Sequence, residues 1–185
     1  LTSVLTPHPS GIKALLAPPH PEAAESLRTA EAGEEGAGQK IRTVVSKMLE
    51  QFDLVVADTW SWIDDVTLAL LDEATFVLVL LTPMIPAVKS ARLFLDLARQ
   101  LGYPDEKIGV VINHADRRTG LRVDQVERVG YIPFDERAGI SAANRGVPLI
   151  TQERGKPLSR SFAQLAQAVL DRLEQLAQEG EDEEW

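Results

Sequence analysis

The chain contains no cysteine, which excludes disulfides and thiolate metal sites. That composition suits a reducing compartment, and a cytoplasmic location is the expectation. Aromatic residues make up only 5% of the sequence, so any aromatic cluster carries information. No apolar run approaches the ~20 residues needed to span a bilayer, and no secretory signal is visible. Basic residues are outnumbered: 19 Lys and Arg face 28 Asp and Glu, for a net charge of −9. This balance argues against direct nucleic-acid binding, which leaves a basic footprint. Also missing is a strand followed by a phosphate-binding loop of the form G-x-x-x-x-G-K-[ST]. Gly33 to Lys40 (GEEGAGQK) comes near the pattern and fails it. Gln39 separates Gly38 from Lys40, Ile41 stands where a hydroxyl is needed, no strand precedes it, and Glu34 and Glu35 would repel phosphate. No G-x-G-x-x-G follows a strand, which disfavours a dinucleotide-binding domain. There is no evident Ser-His-Asp or Cys-His arrangement, and His114 has no second ligand at metal spacing on a helix.

What is present is an ordinary globular composition, 44% apolar and 25% charged over 185 residues. That length fits one domain, able to bury roughly 70% of its unfolded surface. We assign residues 1–178 to it and 179–185 (EGEDEEW) to an acidic disordered tail. The first residue is Leu1, not Met, so the chain is expected to be a piece of a longer one.

Strand-like and helix-like segments alternate. Gly11–Ala17 reads as a strand closed by Pro18-Pro19. Glu22–Thr29 reads as a short helix and Glu31–Gly38 as an acidic, glycine-rich loop. Ile41, Val44, Val45, Met48 and Leu49 recur at helical spacing over Lys40–Gln51. The run Phe52–Thr59 (FDLVVADT) reads as a buried strand ending at Asp58. Asp64–Asp72 reads as a helix, with Asp64 and Asp65 at its N-terminus. Phe76–Leu81 (FVLVLL) is an apolar strand, Pro86 opens a helix reaching Leu101, and Gly102 caps it. Lys107–Ile112 (KIGVVI) is a strand ending at Asn113. Val123–Arg128 reads as a helix, Val129–Ile132 as a strand, 139–145 as a helix, 147–150 as a connector. Ser159–Gln178 reads as a helix with Phe162, Leu165, Val169, Leu173 and Leu176 along one stripe. The alternation predicts an α/β fold with a mostly parallel sheet flanked by helices. Right-handed crossovers place all strand carboxyl ends on one rim, so Asp58, Thr82, Asn113 and Pro133 are expected to line one crevice.

Ligands of open α/β sheets bind beyond those carboxyl ends. A carboxylate there, Asp58, suits Mg²⁺ directly or through water, or simply caps a helix. An asparagine there, Asn113, offers a donor and an acceptor to a purine edge, or closes a turn. Trp60 and Trp62 form either a partner surface or a cover for the neighbouring helix. Lys89, Arg92 and Arg99 read as a solvated helix face. Arg117, Arg118 and Arg122 make a small basic cluster near the crevice.

In order along the chain, Pro9–Pro19 (PSGIKALLAPP), Phe52–Thr59, Leu80–Pro86 (LLTPMIP), Ile112–Asp116 (INHAD), Ile132–Asp135 (IPFD) and Asn144–Leu149 (NRGVPL) resemble the MinD/ParA family of deviant phosphate-loop ATPases. The resemblance covers about residues 5–150, with the branch called CpaE/TadZ, linked to pilus assembly, nearest. It implies a P-loop NTPase-like three-layer fold, N-terminally truncated, and a nucleotide-dependent positioning or assembly factor. ATP and Mg²⁺ are the implied cofactors, a homodimer the implied assembly, and a pilus, secretion or positioning component the implied partner. Asp58 matches the switch aspartate that meets Mg²⁺ through water, Asn113 the adenine-contacting asparagine, and Pro133, Phe134 and Asp135 the loop passing the base. His114 departs from the Arg or Lys common after that asparagine. The lysine-bearing loop and the central strand would precede Leu1, so the chain alone is expected to be inactive. The alternative is a non-catalytic scaffold with the same fold. MinD ends in a basic amphipathic membrane helix whereas this chain ends in acid, so no direct membrane insertion is expected.

Overall fold

The computed structural model describes residues 4–17, 36–115, 128–152 and 154–183. The chain forms two compact units, Leu1–Ala74 and Thr75–Trp185. The expected helix over Glu22–Thr29, most of the loop 31–38, the basic cluster Arg117, Arg118 and Arg122, and most of the helix over 123–128 lie outside the described residues.

In the first unit, β1 (Thr6–Pro7) and β2 (Lys13–Ala14) form a short antiparallel hairpin. Gly11, at φ +94°, makes its turn. The strand expected over 11–17 is thus two residues of a hairpin, because β1 supplies the only ladder it joins. Helix α1 (Ala37–Leu49) begins three residues earlier than the periodicity indicates. Gly38, Gln39 and Lys40 are therefore helical and form no phosphate loop. Helix α2 (Asp65–Glu73) starts at an Asp64 cap whose carboxylate accepts from Thr67 N at 2.8 Å. The two helices pack closely: a Cβ on Gly38 would stand 3.0 Å from the Asp65 carbonyl oxygen. Arg42 on α1 donates to Asp72 and to Glu73 (2.8 Å) on α2. Hydrogen bonding to Asp72, then to Glu73, raises the Arg42 pKa.

The strand expected over 52–59 is absent. Residues 54–60 enter no ladder, and Val56 is 84% exposed. The apolar run has the propensity of a buried parallel strand, but such a strand needs neighbours for its N–H and C=O groups. No described segment supplies one. Phe52 instead receives the Lys13 ammonium 5.5 Å above its ring.

The second unit carries the parallel sheet. Strands β3 (Val77–Leu81), β4 (Ile108–Ala115) and β5 (Arg128–Pro133) lie in the order β3-β4-β5. Both pairings are parallel, with Leu78 beside Gly109 and Ile112 beside Tyr131. Helix α3 (Ile85–Gln100) follows β3, with Pro86 in its first turn and Gly102 at φ +87° just past its end. Its Leu95 and Ala98 join Ile108, and Val88 and Ala91 pack on Leu81, Val110 and Ile112. The opposite face of β4 presents Val111, which meets Ile132 and Leu158. Continuous apolar sequence in β4 thus reflects cover on both faces.

After β5 come α4 (Glu136–Arg145), α5 (Leu149–Gln152) and α6 (Pro157–Glu183). Leu158 sits against the carboxyl-terminal halves of β4 and β5. A Cβ on Gly130 would lie 3.1 Å from Leu165 Cδ1, and Arg172 Nη2 donates to the Glu106 carbonyl at 3.1 Å. Helix α6 therefore runs antiparallel to the strands, which completes helix, sheet and helix as three layers. The helix continues through Gly180 to Glu183, where the sequence predicts a disordered tail. One glycine costs a helix interior about 1 kcal/mol, too little to stop a nucleated helix. Phe162 faces out of the expected stripe and is 41% exposed.

Gly109 carries the tightest approach in this unit. A Cβ there would fall 2.3 Å from Val129 Cγ2 and 2.6 Å from Phe76 Cζ. Gly109→Ala is expected to destabilise the protein by about 1–3 kcal/mol through overpacking, read as a lowered midpoint in urea unfolding. A midpoint unchanged from the parent would refute this packing argument.

Candidate functional site

The site begins with strand direction. All three strands of the second unit run parallel, so Thr82, Asn113 and Pro133 come to the same carboxyl rim. This brings together three of the four residues expected there. Asp58 belongs to the first unit, is exposed, and follows no strand. Its expected placement at a strand end fails because residues 54–60 have no ladder partner.

At the rim, β4 and β5 fall out of step. Ile112 pairs with Tyr131 and Ala115 with Pro133, so β4 spends one residue more than β5 over this interval. The bulge falls on Asn113 and His114, and bulges re-aim side chains at sheet rims. His114 takes φ +56°, the only positive φ among the described non-glycine residues. Histidine tolerates this region better than most side chains, though at some cost. The half-buried Asn113 steadies the kink, since its Oδ1 accepts from His114 N at 2.9 Å. The bulge also carries the His114 ring to Phe134, with centroids 4.9 Å apart and planes tilted by 60°. Phe134 is 56% exposed, so this pair forms an accessible aromatic surface beside the Asn113 amide. Sequence reasoning set His114 aside as a metal ligand and otherwise counted it as a departure from a pattern. Its role as a ring partner depends on a bulge that no local residue signal announces.

Asp135 begins α4. Its Oδ1 accepts from Ala138 N at 3.0 Å, a helix N-cap. One oxygen of this carboxylate thus serves the fold, whatever else the residue does. Gly146, at φ +62°, closes the same helix. The sequence Asn144–Leu149 is therefore a helix end and the entry to α5.

Trp60 and Trp62 are each 71% exposed. Of the two readings of this pair, burial against the neighbouring helix is not what the structure shows. Lys89 and Arg92 are exposed on α3, and Arg99 donates to Asp105 at 2.8 Å. These cations form a solvated face, as their spacing indicates.

A cleft of about 230 Å³ opens at the other end of this sheet, among Phe76, Ile108, Gly109, Val129 and Arg172. These residues mark the amino ends of the strands, the wrong end for a ligand of an open α/β sheet.

No family model matches the chain. In sequence it is similar to the septum site-determining protein MinD of Thermotoga maritima, at 27% identity over 140 residues. The match takes 70% of this chain and spans about half, 51%, of that protein's length. In structure it is similar to a ParA family ATPase from Chlorobium tepidum, with a TM-score of 0.77 at 17% identity, covering 91% of this chain and 68% of the other. It is also similar to MinD of Pyrococcus horikoshii complexed with Mg-ADP, with a TM-score of 0.61 at 15% identity, covering 71% and 56%.

The capping role of Asp135 is separable from any other. Asp135→Ala should cost about 1 kcal/mol of stability, while Asp135→Asn keeps the cap and should change stability by only a few tenths. Thermal unfolding of both variants checks this; equal losses would remove the cap from the account. With this geometry and these similarities together, the chain is similar in sequence to MinD over 140 residues and has the α/β fold of the MinD and ParA ATPases of known structure.

Proposed function

We propose that this chain supplies the base-binding and Mg²⁺-sensing part of a MinD/ParA-type ATPase, a nucleotide-dependent positioning or assembly factor. One observation carries the reading: an accessible amide and aromatic pair stand at the carboxyl rim of a parallel sheet, in a chain related in sequence to MinD. In this reading Asn113, Pro133, Phe134 and Asp135 contact the base of ATP. Asp58 holds Mg²⁺ through water. Magnesium takes six oxygens and keeps several waters beside substrate phosphates. Among the described residues no group of three or more His, Cys, Asp or Glu could hold a metal. In this reading Asp58 acts on the ion together with nucleotide phosphates. Nucleotide drives homodimerisation in the cytoplasm, and the dimer recruits a component of a pilus or secretion apparatus, as the CpaE/TadZ resemblance implies.

A second reading is favoured by the exposure of Trp60 and Trp62. In it the protein is a pseudo-ATPase scaffold that presents this tryptophan surface to the apparatus. Gene sequence upstream of Leu1 separates the two: a lysine-bearing loop supports the ATPase, a degraded one the scaffold.

Either way, the sequence contains no strand-following G-x-x-x-x-G-K-[ST] loop, the motif whose amides and lysine cradle β- and γ-phosphates. The chain alone is expected neither to bind ATP tightly nor to hydrolyse it. Filter binding with radiolabelled ATP should show no retention at micromolar concentrations; micromolar affinity would overturn the expectation. No helix among the described residues is long and apolar enough to cross a membrane, and the half-buried stripe of α6 is spent on β5. Flotation with anionic liposomes should therefore leave the chain at the bottom of the gradient, and co-flotation would contradict the assignment of α6 as a packing helix.

A further inference from the structure

We propose that the segment around Trp60 and Trp62 docks an arginine-bearing, aliphatic stretch of a partner protein. The proposal deepens the scaffold reading above and rests on it, since in that reading Asp58 is not committed to Mg²⁺. Two of the chain's three tryptophans stand two residues apart, and both are exposed, as are Val56 and Ile63 beside them. Residues 54–64 form neither strand nor helix. Neighbouring exposed indoles keep in water an apolar area that a soluble surface ordinarily limits, and tryptophan is enriched where proteins meet.

The charges around the pair identify the occupant. Residues 48–74 hold seven acidic side chains and no Lys, Arg or His. Asp72 and Glu73 are taken by Arg42, and Asp64 caps α2. Asp58 and Asp65 are exposed and enter no ion pair among the described residues. Chain length alone keeps Asp58 within about 7 Å of Trp60, and Asp65 within about 11 Å of Trp62, backbone to backbone. Arginine meets both groups at once: its guanidinium plane stacks on an indole face, and its N–H fork grips a carboxylate. Lysine brings the charge without the plane. Aliphatic neighbours of that arginine then cover Val56 and Ile63. The same charges turn away other occupants. A second copy seated two-fold symmetrically would set Asp58 and Asp65 against their own counterparts. An anionic bilayer would repel them, and amphipathic segments that lie on membranes accompany tryptophan with Lys and Arg.

The test is fluorescence anisotropy of fluorescein-labelled peptides of four Leu-Arg, four Leu-Lys or four Leu-Glu repeats, titrated with the 185-residue chain. The Leu-Arg peptide should bind at least about threefold more tightly than the Leu-Lys peptide, and the Leu-Glu peptide should not bind. Raising NaCl from about 0.05 to about 0.5 M should weaken binding about tenfold. Trp60→Ala with Trp62→Ala, and separately Asp58→Asn with Asp65→Asn, should each lower affinity about five- to tenfold. Glu106→Gln with Glu174→Gln, exposed acids of the second unit, should leave it within about twofold. All these positions are exposed, and circular dichroism should match the parent. Leu-Glu or Leu-Lys peptides binding through the tryptophans as tightly as Leu-Arg would overturn the inference while leaving the scaffold's surface standing. Equal losses from the two acidic pairs would overturn it as diffuse attraction to net charge. Uptake of phosphatidylglycerol vesicles, or self-association in sedimentation equilibrium, that is lost in the tryptophan variant would give the surface to a membrane or to a second copy, and either overturns the inference. Indifference of every probe to the tryptophan variant would overturn the tryptophan surface and the inference with it.

Discussion

A strand buried on both faces and both edges needs a neighbour on each side, and β4 is the one described strand that has two. Its five leading residues, Ile108 to Ile112, are all buried. Even-numbered side chains pack toward α3 and Val111 toward the opposite layer. Both helical layers of the second unit are therefore organised on this strand. Gly109 belongs to the same constraint, since the absence of a side chain lets Phe76 and Val129 close over the strand where it begins.

The chemistry at the rim follows from how β4 ends. Val111 and Ile112 stand in step with Gly130 and Tyr131, and beyond them β4 gains a residue. That extra residue makes the kink, turns His114 toward Phe134, and draws the Asn113 oxygen onto the backbone. A strand continuing in step would put these side chains on alternate faces. Site and sheet are thus joined at this rim bulge, held by one side-chain-to-backbone hydrogen bond.

Much of the second unit was legible in the residues. FVLVLL and KIGVVI announce strands because they are short, apolar and bounded by breakers, and Pro86 and Gly102 mark helix ends through chemistry local to each residue. The first unit was less legible for a physical reason. The run at 54–58 has the same apolar signature as β3, yet it forms no ladder, because pairing belongs to two segments and only one of them can be read at a time. The site divides in the same way. Asn113 and Pro133 were found from their positions at strand ends, whereas the bulge, the ring pair and the engaged amide oxygen arise only when β4 and β5 are set side by side. The reach of α6 to Glu183 was missed because an acidic, glycine-containing end resembles a tail by composition alone.

The outer side of β3 has a consequence of its own. Among the described residues β3 is laddered on one side only, and Leu80 near its end is 63% exposed. An open main-chain edge with an apolar side chain beside it is a template for any extended polypeptide it meets. Self-association through it would proceed by backbone pairing, would respond little to ionic strength, and would be blunted by a charged residue in place of Leu80.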